Sequence, residues 1–473
     1  MRHLIPLTLL LTTACTVGPN YTGPSAATPP PPVSFVRAQN AGVAAPADGP
    51  WWTTLRDPLL DKLVTQALKD SPDLSAAAAR IRQARATLRE RRAADLPSIS
   101  SSALFAKARL PGQSEDGGAT DLTLYNLGFD SSWELDLFGG RSRGLEATRA
   151  DVAARTAELE DARVTLSAEV ARTYVTLRER QQRLALAEAA IALRTREVEL
   201  LRQRAASGTV GRDALLAGQQ ALDDARAQSG PLRAEIDGAK DRLALLAGRT
   251  PGSLDAQLDA PAPVPLPPAE VAIGDPAALL KRRPDIRVAE RTLAAQTARI
   301  GEAEAARFPR VSFLGLFGLG GSSPADVFDL DKVTVAAAPR LSWTLLDFGR
   351  ARAKVRGAEA QRDEAEARYR ATVLGALQDA EAALSRFHHQ RTALADRLRA
   401  ERQAQQADTL GAERYAAGTI ALGDRLAAQR TLLAASQARQ QDGAALTDAY
   451  IAVQKALGLG WQDIDESVTN ESR

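Results

Sequence analysis

Few side chains in this sequence are suited to covalent or metal chemistry. The 473 residues include one cysteine and three histidines. A single cysteine excludes a disulfide framework and a cysteine-rich metal site. His388 and His389 are adjacent, and adjacent residues on a helix point in different directions, which makes them poor co-ligands for a metal ion. The sequence also has no phosphate-binding loop, nucleophile elbow or HExxH motif, so we predict no enzymatic activity, no metal and no cofactor.

The cysteine instead occupies a position suited to lipid attachment. A short basic start, an apolar run at residues 4–11 and small residues up to Ala14 have the layout of a secretory signal peptide. We interpret residues 1–14 as that signal peptide and Cys15 as the lipidated first residue of the mature chain. The segment resembles a bacterial lipobox with Thr12 where leucine is usual, and the alternative is a plain secretion signal with an unmodified cysteine. One lipid tether anchors weakly, so stable membrane residence requires a second element.

Charge and composition narrow the class further. The 60 Lys and Arg nearly balance the 58 Asp and Glu, for a formal net charge of +2. This balance argues against a nucleic-acid-binding protein, which would show a basic face. Hydrophobic residues make up 45% and aromatic residues only 4% of the chain, which suits long helices packed through small residues. After residue 14 no run of 18 apolar residues occurs, so no transmembrane helix is predicted.

The chain contains two copies of one pattern, a feature best sought before any motif. Pro72 and Pro284 each begin an alanine- and arginine-rich helical stretch, and they lie 212 residues apart. Four further pairs of landmarks recur at spacings of 210 to 212 residues: Pro97 with Pro309, Phe138 with Phe348, Gly208 with Gly418, and Gly248 with Gly458. Landmarks at so constant a spacing indicate an internal duplication.

This duplication divides the chain into predicted domains. They are a lipidated, extended N-terminal segment at 15–56, a first repeat at 57–250, a proline-rich connector at 251–274, a second repeat at 275–460 and a C-terminal tail at 461–473. Within each repeat the expected order is helix, two strands, very long helix, turn and helix.

Each repeat is predicted to contain one β-hairpin. Apolar and polar residues alternate loosely over about residues 98–110, 121–137, 310–320 and 333–346, with glycine- or acid-rich loops between paired strands. Strands of about ten residues match a membrane-spanning β-barrel. Four strands cannot close a barrel, and open sheet edges are not tolerated in lipid, so three chains would supply a 12-stranded barrel. The alternative is a small soluble β-subdomain.

The helix predicted from about Arg141 to Ala206 is too long for one globular core, because it would extend about 100 Å. Its apolar residues form two series with seven-residue spacing: Val170, Leu177, Leu184, Ile191 and Val198, then Leu186, Leu193 and Leu200. The series are offset by two positions, about 200° around a helix, so they face nearly opposite sides. A closed ring of helices gives each helix a neighbour on both flanks and satisfies both stripes. A soluble helical bundle is the alternative.

Motifs distributed over nearly the whole chain resemble those of RND-type outer-membrane efflux lipoproteins, the TolC/OprM/NodT-like outer membrane factor family. The matching segments are Cys15–Tyr21, Trp51–Trp52, Asp57–Leu60, Leu137–Arg141, Arg282–Ile286 and Leu346–Arg350. The resemblance implies a mainly α fold with a small β part and two internal structural repeats. It also implies a homotrimer in which a 12-stranded transmembrane β-barrel, with four strands per chain, continues into a long periplasmic α-helical barrel.

The same resemblance implies a passive exit duct for small molecules or drugs in a tripartite efflux system. Its partners would be a periplasmic adaptor (membrane fusion) protein, an inner-membrane RND pump and outer membrane lipid. The protein would span the cell outer membrane and be lipid-anchored there, since Thr16 rather than aspartate follows Cys15. The alternative is a lipid-tethered periplasmic coiled-coil scaffold, which would not need two membrane-length hairpins at matched points of two repeats.

The family places a periplasmic gate and adaptor-docking tips at the two helix–helix turns, residues 206–213 and 416–424. The tip residues are Gly208, Thr209, Asp213, Arg414, Tyr415, Gly418, Thr419 and Asp424. Asp213 and Asp424 either form rings of negative charge that favour cations or cap the returning helices. Arg414 and Tyr415 either lock the gate or pack on the surface. Ala427 stands where some relatives carry an acidic residue.

A second group of residues marks the predicted change from strand to helix: Trp133, Phe138, Gly139, Trp343, Phe348 and Gly349. The glycines let the chain bend there. The tryptophans, together with Phe129 and Phe317, either anchor the barrel at the lipid interfaces or pack at the junction between barrel and tunnel.

Overall fold

The computed structural model describes residues 16–24, 32–38, 49–110 and 120–461. This part of the chain is mainly helical and contains one antiparallel sheet of four strands. The predicted signal peptide, Cys15, nearly all of the loop predicted at 111–120 and the C-terminal tail after residue 461 lie outside the described residues. The chain divides into two compact units, which are described separately.

The first unit comprises residues 1–28, 80–156 and 288–370 and holds the sheet. Its strands pair in chain order and are β1 (Ser98–Leu110), β2 (Thr120–Leu135), β3 (Arg310–Gly321) and β4 (Val333–Ser342). Pro97 and Pro309 directly precede β1 and β3, where the missing N–H does least harm to a ladder. The last strand ends at Ser342, although the sequence predicts strand to about residue 346.

The two hairpins have the same register. Ser98 faces Ser132 in the first hairpin, and Arg310 faces Ser342 in the second. Ser98 and Arg310 lie 212 residues apart, and Ser132 and Ser342 lie 210 apart. These are the spacings of the sequence landmarks, so the duplication extends to the pairing of individual residues.

Each hairpin is preceded by a 22-residue helix and followed by a 67-residue helix. The preceding helices are α2 (Pro72–Ala93) and α8 (Pro284–Ala305), and the following ones are α3 (Gly140–Ala206) and α9 (Arg350–Ala416). At 1.5 Å per residue α3 and α9 are each about 100 Å long. Both predicted stripes of α3 are covered, because Val170, Leu177 and Val198 are buried on one and Leu193 on the other.

The second unit comprises residues 29–79, 157–287 and 371–473, and its described part is mainly helical. Besides parts of α2, α3 and α9 it contains α1 (Pro58–Asp70), α4 (Arg212–Ala227), α5 (Ser229–Leu246), α6 (Asp255–Leu258), α7 (Pro276–Arg282) and α10 (Leu422–Ala456). No helix in the described part of the chain has an apolar stretch long enough to cross a lipid bilayer.

The helices that return from the two turns differ between the repeats. The first return is split into α4 and α5 at Gln228, whereas the second, α10, continues for 35 residues. The prediction of a single helix in each repeat is therefore wrong for the first. Because Gln228 keeps helical dihedral angles, the split is a local loss of hydrogen bonding rather than a change of chain direction.

Aspartates start the equivalent helices α1 and α7. The Asp57 carboxylate accepts hydrogen bonds from the Leu59 and Leu60 amides at 3.0 and 3.1 Å, and Asp275 accepts from the Ala278 amide at 2.7 Å. Asp57 also accepts from the buried Tyr174 hydroxyl at 2.7 Å. Burial, followed by this hydrogen bond, raises the pKa of Tyr174 to about 12. The cap therefore fixes α1 against α3 in the core of this unit.

Candidate functional site

The sheet has one apolar face and one mainly polar face. In an antiparallel pair, directly opposite residues project to the same side, so the register assigns every strand residue to a face. One face carries Ile99, Phe105, Leu127, Phe129, Trp133, Phe313, Phe317, Val335 and Leu341. Its charged residues, Lys107, Arg109 and Asp121, are confined to the end of the β1–β2 hairpin near the connecting loop. The other carries Ser100, Ser102, Asn126, Asp130, Glu134, Ser312, Thr334 and Arg340, interrupted by leucines such as Leu104 and Leu314.

The apolar face is exposed in the isolated chain. Ile99 is 73%, Phe105 61% and Phe317 51% accessible to solvent. A continuous exposed apolar surface of this kind marks contact with a membrane or another protein. The strands contain 10 to 16 residues, sufficient for a tilted strand to cross the hydrocarbon region.

The outer edges of the sheet are open. Among the described residues, β1 pairs only with β2 and β4 only with β3. Each outer edge therefore presents backbone N–H and C=O groups without a partner strand. In lipid each unsatisfied group would cost several kcal/mol, so a membrane location requires further strands on both sides.

The strand-to-helix transitions are braced in the same way in both repeats. The Trp133 indole donates to the Asp95 carbonyl at 2.9 Å, and the Trp343 indole donates to the Arg307 carbonyl at 3.1 Å. Each bond ties the end of the second strand of a hairpin, or the residue directly after it, to the segment just before the first strand. The tryptophans thus pack at the junction, and Trp133 also lies on the apolar face, stacked on Phe313.

The aromatic residue that follows each hairpin has a different environment in each repeat. The Phe138 ring stacks on Phe308 with centroids 4.6 Å apart. Its equivalent, Phe348, is 92% exposed and has a backbone φ of +54°. A bulky residue adopts this left-handed conformation only at a cost in free energy. Gly139 and Gly349, at φ +75° and +88°, adopt such angles without that cost.

Aspartates cap the long helices next to these glycines. Asp136 accepts hydrogen bonds from the Arg141 and Ser142 amides at 3.1 and 2.8 Å. Asp347 accepts from the Ala351 and Gly349 amides at 2.8 and 2.9 Å. These hydrogen bonds from backbone amides, that from Ala351 foremost, lower the pKa of Asp347. Both α3 and α9 therefore begin at a fixed point directly after the sheet.

The residues that follow Cys15 are held by a structure we call the N-terminal cradle, formed by Arg143, Gly139 and Gly301. The buried Arg143 guanidinium donates to the Val17 carbonyl at 3.1 Å, the Gly18 carbonyl at 3.1 Å and the Asn20 side-chain oxygen at 2.6 Å. A Cβ atom on Gly301 would lie 2.8 Å from the Arg143 Cγ and from the Val17 carbonyl oxygen. Only glycine fits at residue 301 without displacing the segment.

The two predicted tips have nearly identical backbone geometry. Gly208 and Gly418 have φ values of +72° and +71°. The Thr209 amide and hydroxyl both donate to the Arg204 carbonyl at 2.9 Å, and those of Thr419 donate to the Arg414 carbonyl at 2.9 Å. Each glycine thus ends a 67-residue helix, and each threonine satisfies a carbonyl of its last turn.

The acidic tip residues are placed differently. The Asp424 carboxylate accepts from the Ala421 amide at 3.3 Å and so caps α10. Asp213 is the second residue of α4, whereas Asp424 is the third residue of α10. Tyr415 is 44% exposed. Roles of these residues in a gate therefore depend on contacts outside the isolated chain.

Ion pairs join α3 to α10. The Arg172 guanidinium binds both oxygens of Asp448, at 2.5 and 2.9 Å. Further along α3, Glu197 accepts from Arg430 and, at 2.8 Å, from Arg194. These pairs link the long helix of the first repeat to the return helix of the second.

Near the second tip, an ion pair joins α9 to α10. Arg425 donates to the Asp408 carboxylate and, at 3.1 Å, to the Asp408 carbonyl. Their side chains are 16% and 19% exposed. One repeat earlier, the equivalent residues are the apolar Val198 and Leu215. The corresponding helices of the first repeat, α3 and α4, therefore lack this ion pair.

A charged cluster surrounds Arg283, within the motif Arg282–Ile286. The Arg283 guanidinium donates to both oxygens of Asp285, at 3.0 and 2.6 Å, and to the Ala456 carbonyl at 3.0 Å. Asp161 lines the same cavity of about 310 Å³. Burial, and then the neighbouring charge of Asp285, raises the pKa of Asp161.

In the described ranges, no group of three or more His, Cys, Asp or Glu is arranged to hold a metal ion. Sequence reasoning did not identify Arg143, Asp408, Arg425 or Phe308 as site residues. The internal repeat could have pointed to two of them, because aligning the two copies shows where they differ. Asp408 and Arg425 stand where the first repeat has Val198 and Leu215. Nothing in the sequence distinguishes Arg143 from the other arginines.

Comparison with known proteins gives the family. The outer membrane efflux protein family matches residues 63–249 and 276–459. Nodulation protein T of Rhizobium leguminosarum bv. trifolii is 30% identical over 470 residues, 98% of each chain. Outer membrane protein OprJ of Pseudomonas aeruginosa is 31% identical over 481 residues, 97% of this chain and 95% of OprJ.

A solved structure agrees with this result. The outer-membrane channel OprN superposes with a TM-score of 0.86 at 33% sequence identity, covering 95% of this chain and 100% of OprN. The shared fold thus extends over nearly the whole chain. The chain therefore belongs to the outer membrane efflux protein family, and it is an efflux channel protein of the outer membrane.

Proposed function

We propose that three copies of this chain form a passive exit duct that crosses the outer membrane and continues into the periplasm as a helical tunnel. The observation that carries the proposal is the sheet, which has an exposed apolar face, a mainly polar face and two open edges. Three such sheets joined edge to edge make a closed barrel of twelve strands, an even number within the known range. A lipid-tethered scaffold would have no use for this surface.

The two faces have separate roles in the barrel. Ile99, Phe105 and Phe317, on the apolar face, would contact lipid. Asp130 and Arg340, on the polar face, would line the water-filled lumen. This division follows the outward-apolar, inward-polar alternation of membrane barrels. A water-filled lumen of this kind would conduct molecules passively.

The two tips form the gate and the adaptor-docking surface. Each lies at the end of a helix that starts beside the sheet and is about 100 Å long. Thr209 and Thr419 close the last turns identically, so the tips present two similar surfaces per chain. A periplasmic adaptor would bind these surfaces and couple the duct to an inner-membrane pump of the RND type. The exported molecules are small molecules or drugs.

Lipidation of Cys15 supplies the second anchor. The N-terminal cradle holds residues 17–20 beside the start of α3, where the chain leaves the sheet. A lipid on Cys15 would therefore enter the leaflet close to the barrel. Insertion of the barrel together with a lipid tether keeps the protein stably in the membrane, which a single acyl chain alone does not.

The first test is the native mass of the protein extracted from outer membranes in mild detergent, after subtraction of bound detergent. We expect about three times the 50.3 kDa chain, and ion-conducting events when the purified species is added to a planar lipid bilayer. A monomer that salt alone releases from the membrane would contradict the proposal. The control is a chain lacking the two hairpins, which should remain periplasmic and conduct no ions.

A further inference from the structure

The equal registers of the two hairpins make the contact between β2 and β3 a template for a contact between copies. In the chain, β2 of the first repeat pairs with β3 of the second. If copies are arranged in a ring, β4 of one copy is followed by β1 of the next, which is the same succession of repeats. The two contacts should then have the same register, shifted by the repeat spacings.

We infer that β4 pairs with β1 of the next copy so that Ser342 faces Ser102. The template pair is Ser132 with Leu314. Ser342 lies 210 residues after Ser132, and Ser102 lies 212 before Leu314. The same shift applied to all of the paired residues joins 335–345 of one copy to 99–109 of the next. This inference rests on the proposed ring of three chains and adds its register.

The alternation of faces agrees with this register. Ser342 faces Arg310, and Ser102 faces Gly128. Both serines lie two residues from members of the polar face, Arg340 and Ser100, and therefore project to that face. A slip by one residue would place the apolar residues of β1 on the lumen side. Only even slips keep both faces continuous, and the repeat spacing selects one of them.

The inferred pairing also explains why β4 ends before its predicted end. The first-repeat equivalents of Trp343–Leu345 are Trp133–Leu135, which are strand because they pair with β3. In the isolated chain residues 343–345 have no such neighbour and are not strand. The next copy's β1 would supply it, extending β4 by three residues.

An exposed aromatic residue lies on the same seam. In the chain, Phe138 stacks on Phe308. The repeat equivalents are Phe348, which is 92% exposed, and Leu96, which is 66% exposed. Leu96 of the next copy therefore covers Phe348 in the assembly. This contact would also stabilise the left-handed backbone of Phe348.

Disulfide trapping with serine-to-cysteine substitutions tests the register. The pair S342C and S102C should link neighbouring copies, because opposite strand residues have Cα atoms about 4.5–5.5 Å apart. Within one chain the two sites lie on opposite edges of a four-stranded sheet, which are about 14 Å apart. They are also offset by eight residues along the strands, because the residue of β4 across from Ser102 is Thr334. Any bond therefore joins different copies. The slipped pairs S342C with S100C and S342C with S98C are matched controls. We expect the S102C pair to oxidise about tenfold faster than the S98C pair.

The outcomes separate this inference from the proposed duct. The chain with Cys15 alone is the blank, and S132C with L314C is the positive control within one chain. Faster linkage of the S100C or S98C pair in a trimer would overturn the register but leave the duct intact. If none of the three pairs links although the S132C and L314C control does, β4 does not pair with β1 of the next copy and the inference is wrong. A monomeric native mass would instead contradict the proposed function.

A second test substitutes Phe348, which lies outside the strands, and measures the stability of the trimer. F348A should lower the temperature at which the detergent-extracted trimer dissociates, by several degrees, although the side chain is exposed in the isolated chain. F138A is the comparison within one chain. An unchanged dissociation temperature for F348A would show that the seam does not cover this ring and would overturn that contact.

Discussion

Replacing Arg143 with alanine should release residues 17–20 from the N-terminal cradle. The guanidinium makes three hydrogen bonds to this segment, at 2.6 to 3.1 Å. Its side chain is 6% exposed, so solvent competes poorly for these bonds. Alanine would leave the Val17 and Gly18 carbonyls and the Asn20 amide oxygen without their donor.

The size of the effect follows from the type of bond. A hydrogen bond to a charged group contributes about 1.5–3 kcal/mol net, so three bonds set an upper range of roughly 4.5–9 kcal/mol. Water entering the vacated space would restore much of this. We therefore expect a loss of about 3 kcal/mol in the free energy that holds the segment closed, or roughly 150-fold more frequent local opening.

Amide hydrogen exchange measured by mass spectrometry on the detergent-extracted protein reports this opening. The Val17 amide donates to the Phe138 carbonyl at 3.2 Å, so it exchanges when the segment leaves. R143K keeps the charge but loses the planar fork of donors, and it should give an intermediate rate. R149A removes an exposed arginine from the same helix and should leave the rate unchanged.

An exchange rate at Val17 within about twofold of the unsubstituted protein in R143A would refute the reasoning. It would mean that packing around Gly301 and Gly139, rather than the guanidinium, holds the segment. A parallel acceleration in R149A would mean that the helix as a whole had loosened. Neither result would bear on whether the chain forms a duct.

Three further outcomes are expected from stability measurements by circular dichroism. D408V and R425L should each destabilise the protein by about 1–3 kcal/mol because each leaves a mostly buried charge unpaired. The double variant copies the apolar residues Val198 and Leu215 of the first repeat and should recover most of the loss. Additive losses in the double variant would contradict this. D161N should raise the melting temperature at pH 7 but not below pH 3.8. Burial raises the pKa of Asp161 above its ordinary value of 3.8, so the folded state loses stability as the pH rises and the carboxyl ionises. An equal gain at both pH values would contradict this prediction. G418A should cost about 1 kcal/mol through its left-handed backbone alone, since a Cβ there would meet no atom within 4 Å, and G418N should cost less; equal losses would contradict the backbone explanation.

Much of the fold could be predicted because it depends on local pattern. Prolines 97 and 309 end one element and begin the next, and the alternation around Trp133 and Trp343 marks strands of the predicted type. The constant spacing of these landmarks then fixes two equivalent halves. The family comparison matches one segment in each half. Such features are visible in sequence because neighbouring residues determine them.

The remaining features depend on contacts between distant residues. The partners of Arg143 lie more than 120 residues earlier in the chain, and no local signal distinguishes this arginine. The end of β4 depends on which strand lies next to it rather than on Trp343 itself. Asp424, the third residue of α10, caps that helix, whereas Asp213 is the second residue of α4, although both were predicted from the same pattern.

The ion pairs between α3 and α10 have a mechanical consequence for the ring. Within a chain this interface is held by Arg172 with Asp448 and by Glu197 with Arg430. Between copies the equivalent residues are Ala382 with Gly238 and Ala407 with Gln220. Around the tunnel, interfaces with these two ion pairs would therefore alternate with interfaces that lack them at the equivalent positions. Sliding would meet less resistance from ion pairs at the three interfaces between copies, so the tunnel would widen by movement of whole chains against one another.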